Sequence, residues 1–179
     1  MAVSITDKDY EELLNRYKNQ IPEQMLVEAL IEKNLKISTA ESCTGGMVSE
    51  KITNVSGSSN VFDCGVCSYA NYIKEKLLGV AHNTLQTVGA VSEETAEQMA
   101  EGIKKLACAD IGVSTTGIAG PTGGTVDKPV GLVYMAVAVE GKTTVYRAEL
   151  CKSEKRTRSQ IRDMASNLIL LLAYEKITN

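Results

Sequence analysis

Ser42 stands in the run Thr39-Ala40-Glu41-Ser42-Cys43-Thr44-Gly45-Gly46, where a β-prone stretch, Lys36 to Ala40, ends in a carboxylate, a hydroxyl and a thiol. Two glycines follow, and then an amphipathic segment that opens near Met47. A strand, a tight glycine turn and a helix start leave backbone N–H groups unpaired and add a positive dipole, which suits an anion or an oxyanion. Ser42 is therefore a candidate nucleophile, and the backbone of Thr44, Gly45 and Gly46 a candidate set of donors to the substrate. Glu41 either orients this site or caps the helix that follows. Cys43 adjoins Ser42 but, by strand alternation, points away from it.

A serine nucleophile needs a base. His82 is the only imidazole in the chain and sits in a polar turn, Ala81-His82-Asn83-Thr84, with no acid beside it in sequence. Read as a surface residue, it leaves no partner for a Ser-His-Asp triad and too few ligands for a histidine-rich zinc site. Any serine chemistry must then use another base, and Lys74, in the segment after the second predicted strand, is available. The five cysteines, at irregular spacing, read as reduced thiols of a cytoplasmic protein. Cys64 and Cys67 form a lone C-x-x-C inside a predicted strand, and buried thiols are the simpler reading.

The elements that must position these groups follow from periodicity. Residues 1–35 read as helical, with Thr6 and Asp9 as a cap and Pro22 opening a second helix. Lys36–Ala40 is the first strand, and Met47 to about Thr53 a helix. Val61–Tyr69 is the second strand, and Asn71 to about Gly79 a short helix carrying Lys74. Ser92 caps the clearest helix, which buries Ala96, Met99, Ala100, Ile103 and Ala107. Ile111–Thr116 is the third strand. Val130–Val139 and Thr143–Cys151 form an antiparallel hairpin, and the last helix runs from about Lys155 to Tyr174.

This alternation predicts an α/β fold: a three-layer α/β/α sandwich on a mixed, mostly parallel five- or six-stranded sheet with one antiparallel hairpin. Ligands in such folds gather beyond the C-terminal ends of the parallel strands. Three loops should meet there: Glu41–Gly46, Tyr69–Lys74 and Thr116–Lys128. Tyr69 and Asn71 are placed to line a pocket. Thr116 either donates to substrate or ends its strand. The loop Gly117-Ile118-Ala119-Gly120-Pro121-Thr122-Gly123-Gly124 is dense enough in glycine to bring backbone N–H groups against a phosphate, yet it is neither a P-loop nor a dinucleotide fingerprint. Lys128, which closes it, either meets a phosphate or is solvated.

With 179 residues, 44% apolar and 23% charged, the chain is the size and composition of one soluble globular domain. A net charge of -3 with interspersed basic residues gives no footprint for nucleic acid. The basic run from Lys152 to Arg162 is broken by Glu154 and reads as a solvated helix face. No apolar stretch is long enough for a membrane span, and no signal peptide is recognisable.

The sequence resembles the CinA carboxy-terminal domain family, which includes stand-alone nicotinamide mononucleotide deamidases. The resemblance rests on Ala40-Glu41-Ser42-Cys43-Thr44-Gly45-Gly46, Gly57-Ser58-Ser59, Tyr69-Ala70-Asn71-Tyr72-Ile73-Lys74 and Gly89-Ala90-Val91-Ser92. It continues through Thr116-Gly117-Ile118-Ala119-Gly120-Pro121, Gly123-Gly124, Lys128-Pro129-Val130-Gly131 and the pair Arg158 and Arg162. It covers roughly residues 22–174, with residues 1–21 read as a helical extension for packing or dimerisation. It implies hydrolysis of the amide of nicotinamide mononucleotide to nicotinic acid mononucleotide and ammonia, with Ser42 as nucleophile and Lys74 as base. No cofactor or metal is implied. The expected partner is a small mononucleotide, not nucleic acid or membrane, and a homo-oligomer, a dimer first, is expected. Arg158 or Arg162 would meet the phosphate, and either would depress the Lys74 pKa as a neighbouring cation. Larger members carry a molybdopterin-binding-like domain with an associated pyrophosphatase activity, and that activity is not transferred to these residues. Thr122 departs from the family's usual acid before Gly123-Gly124. The alternative is a catalytically silent nucleotide-binding or scaffold domain of the same family.

Overall fold

The computed structural model describes residues 1–179. In chain order the elements are β1 (Val3–Ile5), α1 (Asp7–Arg16), α2 (Pro22–Lys33), β2 (Ile37–Glu41), α3 (Met47–Thr53), β3 (Phe62–Cys67), α4 (Asn71–Leu78) and α5 (His82–Thr87). They continue with α6 (Glu93–Ala107), β4 (Ile111–Gly117), β5 (Leu132–Val139), β6 (Lys142–Glu149) and α7 (Arg158–Thr178). The six strands form one sheet in the order β1-β6-β5-β4-β2-β3. β2 pairs parallel with both β3 and β4, and β1 pairs parallel with β6, while β4–β5 and β5–β6 are antiparallel. No helix is long and apolar enough to cross a membrane.

Strand alternation sorts the side chains into two cores. Ile37, Val113, Val133, Met135 and Val137 face α2, α3 and α7 and join Leu26, Leu30, Ile161, Leu168 and Leu172 in the main cluster. Ala40 faces the other way, packing with Met99 and Ile103 of α6 and Leu78 of α4, while Ala136 and Ala138 meet Ala96 and Ala100. Small residues dominate this second face because α6 lies close. A Cβ at Gly112 would stand 2.1 Å from the Ala100 carbonyl oxygen. The three-layer sandwich is thus the arrangement expected from the helix and strand periods.

Three local expectations fail. Val3–Ile5 is not helical: it is the sixth strand, in register with Tyr146–Ala148. The helix capped by Thr6 begins only at Asp7. His82 is not in an open turn but begins α5, and its Nδ1 lies 3.0 Å from Glu75 Oε1 of α4. The closing helix starts at Arg158 rather than Lys155, because Thr157 and Gln160 form its capping box.

Candidate active site

The C-terminal ends of β2, β3 and β4 converge where the sequence places the chemistry. Ser42 follows β2, and its N–H donates to the Thr115 carbonyl at 2.9 Å. The Ser68 N–H likewise donates to the Glu41 carbonyl at 2.8 Å. With Glu41 opposite Cys67 and Thr115, the next step of the ladder puts Ser42 between Ser68 and Thr116. All three share the face of Ala40, Val66 and Ser114, the face against which α4 and α6 pack.

From α4, Lys74 reaches this row. Its side chain is fully buried, and Nζ lies 3.2 Å from Ser42 Oγ. It also donates a short hydrogen bond to the Ser68 carbonyl. Burial pushes the Lys74 pKa down to about 8, because an ammonium loses its hydration in the interior. Cys43 acts in the opposite direction and is outweighed by burial. The arginines expected to depress this pKa do not do so; desolvation does.

Cys43 leaves the sheet on the opposite face, buried in the main core, and burial pushes its pKa up to about 12. It is a neutral core thiol at physiological pH, turned away from the lysine, as alternation requires. Cys64 and Cys67 occupy opposite faces of β3, being three residues apart along a strand, and contrary to expectation neither is buried: Cys64 is half-buried and Cys67 exposed. No group of three or more His, Cys, Asp or Glu side chains is arranged to hold a metal ion.

Glu41 resolves in favour of the cap. It is buried, and its Oε2 accepts from Thr44 Oγ1 at 2.7 Å, Gly46 N at 2.9 Å and Val48 N at 3.0 Å. Its Oε1 accepts from Ser49 N at 2.8 Å and Ser49 Oγ at 2.7 Å. The start of α3, read from sequence as open to an anion, is therefore filled by the protein's own carboxylate. What remains for a ligand is the turn itself: the N–H groups of Cys43, Thr44 and Gly45 donate to no backbone carbonyl, and those of Cys43 and Thr44 have only the Cys43 sulfur beside them. Gly46, at φ +94°, completes the turn, and a Cβ there would press on Cys67 Sγ at 3.2 Å.

Two arginines one helical turn apart on α7 bind the loops together. Arg162 donates through Nε at 3.1 Å and Nη2 at 2.7 Å to the Thr44 carbonyl. Arg158 donates to the Gly120 carbonyl and to Tyr69 Oη, both at 2.9 Å. Hydrogen bonds thus join Lys74 to Ser42, Arg162 to the Thr44 carbonyl of the Thr44–Gly46 turn, and Arg158 to Tyr69 and Gly120, all beyond the C-terminal ends of the parallel strands, with Asn71 exposed at the start of α4. Thr116 and Lys128 are engaged elsewhere: the Thr116 hydroxyl donates to the Ala90 carbonyl at 2.6 Å, and Lys128 Nζ to the Val88 carbonyl at 2.7 Å. Gly117 serves packing, since a Cβ would meet the Leu132 carbonyl oxygen at 2.6 Å. Sequence reasoning passed over Ser68, although it lies two residues after Val66 on the same face and one before Tyr69.

A hollow of about 580 Å³ lies far from this row, lined by Lys104, Lys105, Cys108 and Lys142 where the parallel strands begin. It holds no nucleophile paired with a base. Geometry rather than volume identifies the candidate site.

Residues 19–173 match the CinA C-terminal domain. The "CinA-like protein" of Kosmotoga olearia is 50% identical over 158 residues, covering 86% of this chain and 38% of that protein. A relative from Thermoanaerobacter pseudethanolicus, also 50% identical, is covered over only 36% of its length, so the chain spans well under half of these curated relatives. Among solved structures, the competence/damage inducible protein CihA from Agrobacterium tumefaciens superposes with a TM-score of 0.79 at 38% identity, covering 97% of this chain and 99% of that one. A competence-damaged protein (CinA) superfamily protein from Enterobacter cloacae gives a TM-score of 0.83 at 31% identity, covering 90% of this chain and 95% of its own.

Proposed function

The chain belongs to the CinA C-terminal domain family, and from that premise we propose that it is a nicotinamide-nucleotide amidase working through Ser42 and Lys74. One observation carries the proposal: a buried lysine, its pKa lowered to about 8, whose Nζ lies 3.2 Å from a serine hydroxyl. A scaffold or a simple binding domain has no use for that pair, and a charged lysine is costly to bury.

In the proposed mechanism neutral Lys74 takes the Ser42 proton as Oγ attacks the carboxamide carbon. At pH 7 about one lysine in ten is neutral for a pKa near 8. The tetrahedral oxyanion is received by the unpaired N–H groups of Cys43, Thr44 and Gly45. Donors of this kind contribute about 10²–10³ in rate each. The carbon–nitrogen bond breaks as Lys74 returns its proton to the departing nitrogen, releasing ammonia and leaving an ester on Ser42. Water then attacks that ester, giving up a proton to Lys74, and Ser42 is regenerated with the product carboxylate. The mononucleotide's phosphate is assigned to Arg158 and Arg162, whose guanidinium groups can share their donors between loop carbonyls and an anion. Tyr69 and Asn71 flank the ring.

The test is turnover of nicotinamide mononucleotide followed by ammonia release and by chromatography of the nucleotide. Stoichiometric ammonia and nicotinic acid mononucleotide are expected. Saturable binding with no ammonia would instead favour a binding domain.

A further inference from the structure

Ser68 is the row's unexplained member. Its side chain is fully buried, and its hydroxyl is the one buried side-chain nitrogen or oxygen without a hydrogen-bond partner. The corresponding hydroxyl on the other side of Ser42, that of Thr116, is satisfied by the Ala90 carbonyl. A buried polar group left unbonded is costly, so native structures rarely keep one without a use. Strand spacing places Ser68 about 4.8 Å from Ser42 along the hydrogen-bonding direction, on the same face. The carbonyl of Ser68 already accepts from Lys74 Nζ.

Lys74 has a matching deficit. Once it has taken the Ser42 proton it is an ammonium with three N–H groups. The structure supplies two acceptors, Ser42 Oγ and the Ser68 carbonyl. We propose that Ser68 is a positioning residue: its hydroxyl rotates to receive the third N–H of the Lys74 ammonium formed during attack and holds it until the proton is returned. The proton balance is that of the proposed reaction, since Ser68 accepts a hydrogen bond and neither gains nor loses a proton. This inference rests on the Ser42–Lys74 reading.

Few other groups compete for that ammonium. From β2, Cys43 is a neutral thiol in the opposite core, and the Glu41 carboxyl is held by α3. β4 presents Ser114 and Thr116 on this face, and α6 presents Met99 and Ile103. On α4 itself Glu75 pairs with His82, and Lys76 is exposed.

The experiment is a pH titration of lysine ¹³Cε resonances in the full-length protein, with Lys74 assigned by its loss in Lys74→Met. A hydrogen bond to the charged form favours it, so removing the hydroxyl should lower the Lys74 midpoint, by about one pH unit in Ser68→Ala. Ser68→Thr, which keeps the hydroxyl, should restore the midpoint. In turnover, kcat should fall about tenfold in Ser68→Ala with KM little changed, as for an interaction made after binding. If Ser68→Ala does not fold, Ser68→Thr against the near-isosteric Ser68→Val makes the same comparison. An unchanged Lys74 midpoint on losing the hydroxyl overturns the proposal. The titration needs no substrate, so a protein that releases no ammonia would count against the proposed reaction alone.

Discussion

Lys74 is the residue on which chemistry and stability pull in opposite directions. Its pKa is about 8 in the fold against 10.5 for the unperturbed side chain, a penalty of about 3 kcal/mol for keeping the charged form buried. The sign follows from proton counting. Below pH 8 both folded and unfolded lysines are charged and the penalty is felt in full. Between about 8 and 10.5 the unfolded state binds more protons, so stability rises with pH. Lys74→Met should therefore stabilise the protein at pH 7, by about 1–2 kcal/mol once the orphaned Ser68 carbonyl is counted, and the advantage should shrink towards pH 10.5. Urea denaturation of both proteins across that range checks it. Ammonia release should be abolished in the same variant, because a thioether is no base.

At the scale of elements, the β2–α3 turn is held from inside by Glu41 and from outside by Arg162. The Glu41 carboxylate accepts three backbone N–H groups and two hydroxyls, and an amide in its place would turn an NH₂ towards donors. Glu41→Gln should destabilise the fold by about 3 kcal/mol, read from the denaturation midpoint. Arg162→Lys keeps the charge but loses the two-pronged grip on the Thr44 carbonyl. Ammonia release should fall about tenfold or more as the oxyanion donors lose their alignment, with the pH dependence of the rate unchanged. Sequence left two roles open for Glu41 because only the curl of α3 back over the strand end decides between them. By contrast, the strand, the glycines and the serine of this turn were legible from residue types alone. So was the turn of Cys43 away from Ser42 and into the opposite core, which follows from a period of two.

Across the whole molecule, the N-terminal residues complete the sheet and anchor the approach to α7. Asp7 is buried, its Oδ1 2.9 Å from Arg156 Nη1, and it accepts from the backbone and hydroxyl of Ser153. Burial alone would raise its pKa. The Ser153 hydrogen bonds and Arg156 outweigh that and hold the carboxyl below its ordinary range. The stability it lends is present above the unfolded carboxyl pKa and is lost as pH falls through the lower folded value. Asp7→Asn should cost about 3 kcal/mol at pH 7, as expected when one partner of a buried pair is removed, and the loss should narrow in acid. Thermal unfolding at pH 7 and pH 3 measures both. This tie was invisible in sequence, since its partners are nearly the whole chain apart. Val3–Ile5 was missed for a related reason: three residues show no usable period, and their pairing with β6 is a tertiary fact. His82–Thr87 was missed because only Leu85 of that short helix is buried, too little for an apolar stripe. The layers and the meeting of three loops beyond β2, β3 and β4 were readable because long periodic helices and parallel strands leave few arrangements.

The proposed reaction turns on Ser42 attacking the amide with Lys74 as its base. The measurement that bears on it most directly is ammonia release from nicotinamide mononucleotide by the wild-type protein, Ser42→Ala and Cys43→Ala, with circular dichroism confirming that each is folded. Release by the wild type, near-complete loss in Ser42→Ala and largely retained release in Cys43→Ala are predicted. Undiminished release by folded Ser42→Ala would show that Ser42 is not the nucleophile.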